Sequence, residues 1–463
     1  MNFKTLITAC FLMIATQVWG QEKKSYVFSL QEAQEYAVAN NKTLRIARSQ
    51  VALSDEQIDE AIAGGLPQVN GSLDYNTNFN YKFNFSPGGG GSTEPPDIDY
   101  TLLDAGDLEI LNLFQQMTAP GESAAIVLED QANASVQVSA LLFSGQYWTG
   151  IKLAKIARTI AEKNVNLTAL DIKESVIDTY YLILITEEYL RIIDENIQNL
   201  EEVFKHTSDM AYAGLAEQTD ADQIQVNLSQ VKNSKKAMER NLQLNFNMMR
   251  FLLGLESDEE ITLTDNIDQL LPVLEQQSLF MPNLDIKQNP SYQIMQQQEI
   301  LSEKSVDLEK WAYSPSLTGF YSYTKKLMTS GFDLSPNNVA GLSVSVPIFS
   351  GGTRSSRVSQ AKIQLDQTRL NKEQLEEQLK LQDRQLTYNL KSSYENYLTQ
   401  RESVVVAKRV YQSINNKYRQ GLLSSLDLTQ ANTNYLQAEN NYITSIMELL
   451  KSKLALDKLY NNL

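Results

Sequence analysis

Few residues in this chain of 463 are equipped for chemistry. It has one His, His206, and one Cys, Cys10. His206 has no HExxH context and no thiol partner, and it stands in a stretch that reads as long exposed helix, which suits a solvated role. No Gly-rich loop follows a strand and opens a helix, no nucleophile elbow occurs, and the Gly88–Gly91 run has no phosphate-binding context. Paired acids run through the helical stretches as solvated faces. Two carboxylates stand apart from these, Asp220 and Asp427, each six residues after a lone glycine, Gly214 and Gly421. An acid there stabilises the first turn of the following helix by a few tenths of a kcal/mol to ~1 kcal/mol. No catalytic site, cofactor or metal site is predicted.

The elements that hold those positions are set by what is missing. Spans Ile151–Ala213 and Thr353–Gln420 contain neither Gly nor Pro for 63 and 68 residues. Each is followed by its turn glycine and by a second free span, Leu215–Leu253 and Leu422–Leu463. Their Leu, Ala, Gln, Glu and Lys content predicts helix. At about 1.5 Å per residue the outgoing helices reach roughly 95–100 Å, too long for a compact core, so they must pair lengthwise as coiled coils. Each glycine supplies the left-handed residue that reverses the chain.

The chain repeats itself. At a constant offset of 248, Asn41, Gln50, Leu53, Ser54, Asp59, Pro67, Gly71 and Tyr75 match Asn289, Gln298, Leu301, Ser302, Asp307, Pro315, Gly319 and Tyr323, and Phe143-Ser144-Gly145 matches Phe349-Ser350-Gly351. Two copies of one helix, strand, strand, long-hairpin unit are predicted. Strands follow Pro67 and Pro315, residues that end a helix and suit a strand's first position. From Val69 to Phe85 apolar residues alternate with Asn, Ser, Asp and Lys, the period-2 pattern of a membrane β-barrel with a wet lumen. Weaker versions run through Ala132–Leu142, Leu317–Tyr323 and Leu342–Ile348, and Ser86–Ala124 reads as a long loop. Four strands cannot close a barrel, since single-chain barrels need about eight, so several chains must share one. The returning helix and the shorter helix near Ser291–Tyr313 together approximate the outgoing one, giving a ring of such units the form of a hollow cylinder on the barrel.

Residues 1–20 read as a secretory signal, with Lys4 before an apolar run Leu6–Thr16 and a cut before Gln21. Lipidation at Cys10 fits poorly, and removal of the leader leaves no thiol, hence no disulfide. The formal charge is −16, or −17 once Lys4 is lost. Nine acidic residues and no basic one lie between Phe83 and Ile151, and eight and none between Phe251 and Ile286, which together equal the mature charge. Such a balance makes the chain as a whole a poor candidate for binding nucleic acid or anionic lipid by electrostatics.

The order signal, helix, strand after Leu66-Pro67, strand ending Phe143-Ser144-Gly145, long hairpin, then all of it again with Val344-Ser345-Val346-Pro347-Ile348-Phe349-Ser350-Gly351-Gly352-Thr353-Arg354, resembles the TolC-like outer-membrane efflux protein family over essentially the whole mature chain. The resemblance implies a mainly α fold with a β-barrel portion: a homotrimer in the outer membrane lipid, with a 12-stranded barrel and a periplasmic helical tunnel. It also implies a periplasmic adaptor (membrane fusion) protein and an inner-membrane pump of RND or ABC type as partners, for efflux or type I secretion.

On that pattern the chain divides into a signal (1–20), an N-terminal helix (21–65), strands 1–2 (66–149, loop 86–124), hairpin 1 (150–254), an equatorial segment (255–290), a short helix (291–314), strands 3–4 (315–350) and hairpin 2 (351–463). The tunnel would close at the hairpin turns, where three copies of Asp427, and of Asp220, would form carboxylate rings that select cations, with crowding raising their pKa values. Leu423 stands where the best-known members have Arg, and Gln430 where they have a second ring Asp, so closure would lean on Tyr418, Leu422 and Leu423. Gly214, Leu215, Gly421 and Leu422 are the implied adaptor contacts. Trp148 and Trp311, beside Tyr147 and Tyr313, suit an interfacial aromatic belt as well as ordinary packing. A periplasmic adaptor with one hairpin and a simple porin are the competing readings; two hairpins with four amphipathic strands count against the first, and 100 Å helices against the second.

Overall fold

The computed structural model describes residues 25–77, 79, 81–85, 101, 104–118, 124–128, 130–267, 284–328 and 335–463. The predicted signal with Cys10, the Gly88–Gly91 run and the middle of the equatorial segment lie outside them. Contacts divide the chain into two compact units, Met1–Ile58 with Lys152–Val306 and Ser359–Leu463, and Asp59–Ile151 with Asp307–Val358.

The first unit is built on four long helices: α4 (Gly145–Tyr212, 68 residues), α5 (Gln218–Leu253, 36), α7 (Thr353–Arg419, 67) and α8 (Ser425–Leu459, 35). The breaker-free spans are thus helical except for one to four residues at their ends. Ahead of them stand β1 (Ser25–Phe28), α1 (Leu30–Asn40) and α2 (Lys42–Ala63), where a single helix was predicted for 21–65. β1 pairs in parallel with β6 (Glu260–Leu263) from the equatorial segment. Asp265 clamps this junction, accepting from Leu30 N and Tyr180 Oη, both at 2.8 Å. Around it Phe28, Ala33, Ala37, Leu44, Val176 and Met249 close a dry core.

α6 (Pro290–Trp311) is the second short helix. The two asparagines that match at the 248 offset make the same bonds. Asn41 Nδ2 donates to Leu252 O (2.7 Å) while its Oδ1 accepts from Thr43 N and Leu44 N. Asn289 Nδ2 donates to Leu459 O (3.1 Å) while its Oδ1 accepts from Ser291 N and Tyr292 N. Each caps the start of a short helix and the end of a return helix at once.

The second unit centres on an antiparallel sheet of order β2 (Gln68–Asn76), β5 (Gln131–Phe143), β7 (Ser316–Met328), β8 (Asn338–Ser345). The expected 17-residue first strand is not continuous. It stops at Asn76, and β3 (Tyr81–Phe85) pairs separately with β4 (Ala124–Leu128). Phe79 at the break has φ 49°, a left-handed value that no strand tolerates. The predicted loop 86–124 contains α3 (Ala105–Thr118), capped by Asp104, whose Oδ1 accepts from Gly106 N and Asp107 N at 2.9 Å. The last strand ends at Ser345 rather than Ile348, just short of Pro347, which has no N–H for a ladder.

Candidate functional site

The hairpin tips lie in the helical unit. Both turns end their helix with the same bonds: Leu215 N donates to Met210 O and Gly214 N to Ala211 O, and Leu422 N donates to Lys417 O and Gly421 N to Tyr418 O. This Schellman geometry needs a left-handed residue, and Gly214 and Gly421 have φ 73° and 74°. It leaves Tyr212, Leu215, Leu422 and Leu426 exposed among the described residues, a set of apolar side chains at the two turns.

The predicted ring residues have different surroundings from one another. Asp427 is the third residue of a capping box: Ser424 N and Oγ donate to its Oδ2 at 3.1 and 2.7 Å, and its own N donates to Ser424 Oγ. The Ser424 hydroxyl, then the Ser424 backbone N–H, hold its carboxyl below the usual carboxylate range. Within one chain the shift is therefore opposite to the upward shift expected from crowding. Asp220 accepts from Glu217 N at 3.4 Å and from the hydroxyl of Ser425, so it bridges the first hairpin to the start of α8. Tyr418 does not line an opening. It is buried against Val203, Ile224, Tyr411 and Leu428, with its hydroxyl 2.6 Å from Thr207 Oγ1, and burial pushes its pKa up. Leu423 is half-buried and Gln430 exposed, donating to Asn434.

Ser425 and Thr207 were not legible as tip residues, since a hydroxyl gains its role here from the opposite hairpin. The capping box was also missed, and the Ser424-x-x-Asp427 spacing is the signal that could have found it. Higher in the hairpins a further pair emerges: Asn196 Nδ2 donates to Asn432 Oδ1 at 2.7 Å, both buried, leaving Asn196 Oδ1 and Asn432 Nδ2 without a partner among the described residues.

In the second unit the register sorts residue types completely between β2 and β5, and largely so across β7 and β8. Val69, Gly71, Leu73 and Tyr75 lie opposite Val138, Val136, Ala134 and Ala132. Val136, Val138 and Ala140 in turn face Tyr323, Tyr321 and Gly319, which continue to Leu342 and Ala340. This face is apolar over the centre of all four strands, with Lys325 opposite Ala134 and Asn338 opposite Tyr323 towards one end, yet Leu73, Tyr321, Leu342 and Val344 stand exposed. The other face carries Gln68, Asn70, Ser72 and Asp74 opposite Ser139, Gln137, Ser135 and Asn133, with the Ser72 and Ser135 hydroxyls 2.8 Å apart. The outer edges of β2 and β8 have no ladder partner among the described residues.

Pro67 and Pro315 immediately precede β2 and β7. Trp148 and Trp311 are about half exposed. Trp148 meets Tyr147 edge-on at 5.0 Å, and Trp311 lies so close over Gly145 that an added Cβ would fall 2.1 Å from the ring. The Tyr147 hydroxyl donates to Ile62 O. These aromatics thus pack locally and keep an exposed side.

Residues 281–462 match the family model described as outer membrane efflux protein. No curated protein matches the chain by sequence. Among solved structures, CusC superposes with TM-score 0.71 at 15% identity, covering 93% of this chain and 92% of that one. VceC, an outer membrane protein of Vibrio cholerae, gives 0.66 at 14%, covering 93% and 95%; the CmeC outer membrane channel of Campylobacter jejuni gives 0.66 at 15%, covering 96% and 90%.

Proposed function

We propose that the protein, whose residues 281–462 match the outer membrane efflux protein family model and which shares the fold of CusC and VceC over 93% of its length, is the outer-membrane exit duct of a tripartite efflux or type I secretion system. Three copies close a 12-stranded barrel with their four-stranded sheets, and their hairpins form a periplasmic tunnel. The duct conducts passively what an inner-membrane pump of RND or ABC type delivers through a periplasmic adaptor. The chain is a duplicated unit, a reading supported by the equivalent bonds of Asn41 and Asn289.

One observation carries the proposal. A sheet whose one face is apolar over its centre and largely exposed, whose other face is mostly polar, and whose two edges are open is unstable in water. It becomes stable where the apolar face meets lipid, the polar face meets a wet lumen and the edges pair with further copies. The helices support the same assembly. On α7, Ile363, Leu370, Leu381, Tyr388, Val406 and Val410 are exposed and fall within a strip about 40° wide by the 3.6-residue period. Val226, Leu244, Met248 and Phe251 form a second such strip on α5. Two different unpartnered strips suit a head-to-tail ring, in which one copy's α7 meets the next copy's α5.

At the tips, exposed Leu215, Leu422 and Leu426 form the adaptor contact, and the Asp220–Ser425 and Tyr418–Thr207 bonds hold the two hairpins of each copy together. Detergent extraction of the outer-membrane fraction tests the proposal. A heat-modifiable trimer is expected, whereas a monomer released by osmotic shock would overturn it.

A further inference from the structure

The apolar face does not end where the sheet ends. Leu342 and Val344 project from β8 on that face, and the same alternation continues past the last ladder residue to Val346 and Ile348, which are 56% and 91% exposed. Between them stands Pro347, which cannot donate to a neighbouring strand, so the segment is unsuited to extending the ladder with another copy. Gly351 and Gly352, both at positive φ, end the segment before α7 begins.

The segment is also fixed at its base. Arg354, in the first turn of α7, donates from Nη1 to Pro347 O at 3.3 Å and holds its guanidinium 6.0 Å from the Tyr313 ring centroid. A guanidinium carries five N–H donors, and the bond to Pro347 uses one. Exposed apolar side chains beside a positioned guanidinium, at the end of the sheet where β5 runs on into α4 and α6 leads into β7 with Trp148, Trp311 and Tyr313 exposed, match the layered chemistry of a membrane interface.

We propose that Val346–Ile348 is a phospholipid-binding finger: Val346 and Ile348 enter the acyl region of the leaflet at this end of the sheet, and Arg354 meets a headgroup phosphate. This rests on the barrel reading above. The finger would fix how deep each copy sits in the bilayer.

Depth-dependent quenching tests it. The full mature chain, with Trp148→Phe and Trp311→Phe and without Trp19 of the leader, has no tryptophan left. Ile348→Trp and, separately, Leu342→Trp are added and the protein is reconstituted into phosphatidylethanolamine and phosphatidylglycerol vesicles carrying brominated acyl chains. Ile348→Trp should lose most of its emission to bromine near the headgroup end of the chain. Leu342→Trp should be quenched more by bromine deeper in the bilayer. Quenching of Leu342→Trp without quenching of Ile348→Trp overturns the finger alone, because the segment is then covered by another copy or by water. Quenching of neither tryptophan overturns the barrel reading and the finger with it. For the phosphate, Arg354→Gln should lose retention of spin-labelled phosphatidylglycerol while Arg354→Lys keeps it. Equal retention in both variants, or equal loss, removes Arg354 from the site.

Discussion

Leu342 and Ser343 are neighbours on β8 whose side chains leave opposite faces of the sheet, so a charge at each tests which face meets lipid. Leu342 sits opposite Gly319 on the apolar face and is 71% exposed, whereas Ser343 lies opposite Thr318 on the polar face. If the sheet stood in water, Leu342→Arg would change stability by less than about 0.5 kcal/mol, as for other surface substitutions. On the lipid face of a barrel an arginine near mid-bilayer costs about 2–4 kcal/mol per chain, or about 6–12 kcal/mol for three copies. Ser343→Arg, pointing into a wet lumen, should cost little. The assay is urea unfolding of the protein refolded in lipid vesicles, with the temperature of trimer dissociation in detergent as a second reading. Equal midpoints for Leu342→Arg and Ser343→Arg would refute the assignment of the faces, and so would a larger loss at Ser343.

Three further outcomes follow from the helical unit. Asn196→Leu alone strands the Asn432 amide in the interior and should cost about 1–3 kcal/mol, while the double change to Leu should recover that loss or exceed wild-type stability; the difference is read from paired thermal melts. Asp427, held ionised by Ser424, contributes stability that is fully present above its unfolded-state pKa and lost as pH falls through its lowered folded pKa; Asp427→Asn should remove that acid limb from a melting-temperature profile, and in planar bilayers Asp427→Ala should lower cation selectivity. Asp220→Ala removes the acceptor of the Ser425 hydroxyl and should raise proteolysis or hydrogen exchange at the tips without altering trimer formation; unchanged protection would take the Asp220–Ser425 bond out of the account.

The helices were legible because long breaker-free spans admit few alternatives, and the observed ends fall within a few residues of the glycines. The sheet was legible in its alternation but not in its boundaries. Val69–Phe85 keeps its period across residues 77–80, and nothing in that pattern reports the left-handed Phe79. β1 was missed because its parallel partner lies 235 residues away in the register Ser25 to Glu260, beyond any local signal. α3 could have been found from Asp104 and the helix-forming run after it. At the tips, residue types suggested carboxylate rings, but only the packing of one hairpin on the other distinguishes Asp427, an exposed cap, from Asp220, a bridge, and turns Tyr418 inward.

The central claim is that open sheet edges of separate copies close on one another. Cys10 is the one cysteine of the chain, so with Cys10→Ser pairs can be introduced cleanly: one at Asn70 on β2 and one at each position of β8 in turn, oxidised in the membrane. The account predicts that particular β8 positions give a covalent trimer and nothing larger. Failure of every pair to crosslink, or a ladder of ever larger species, would contradict it.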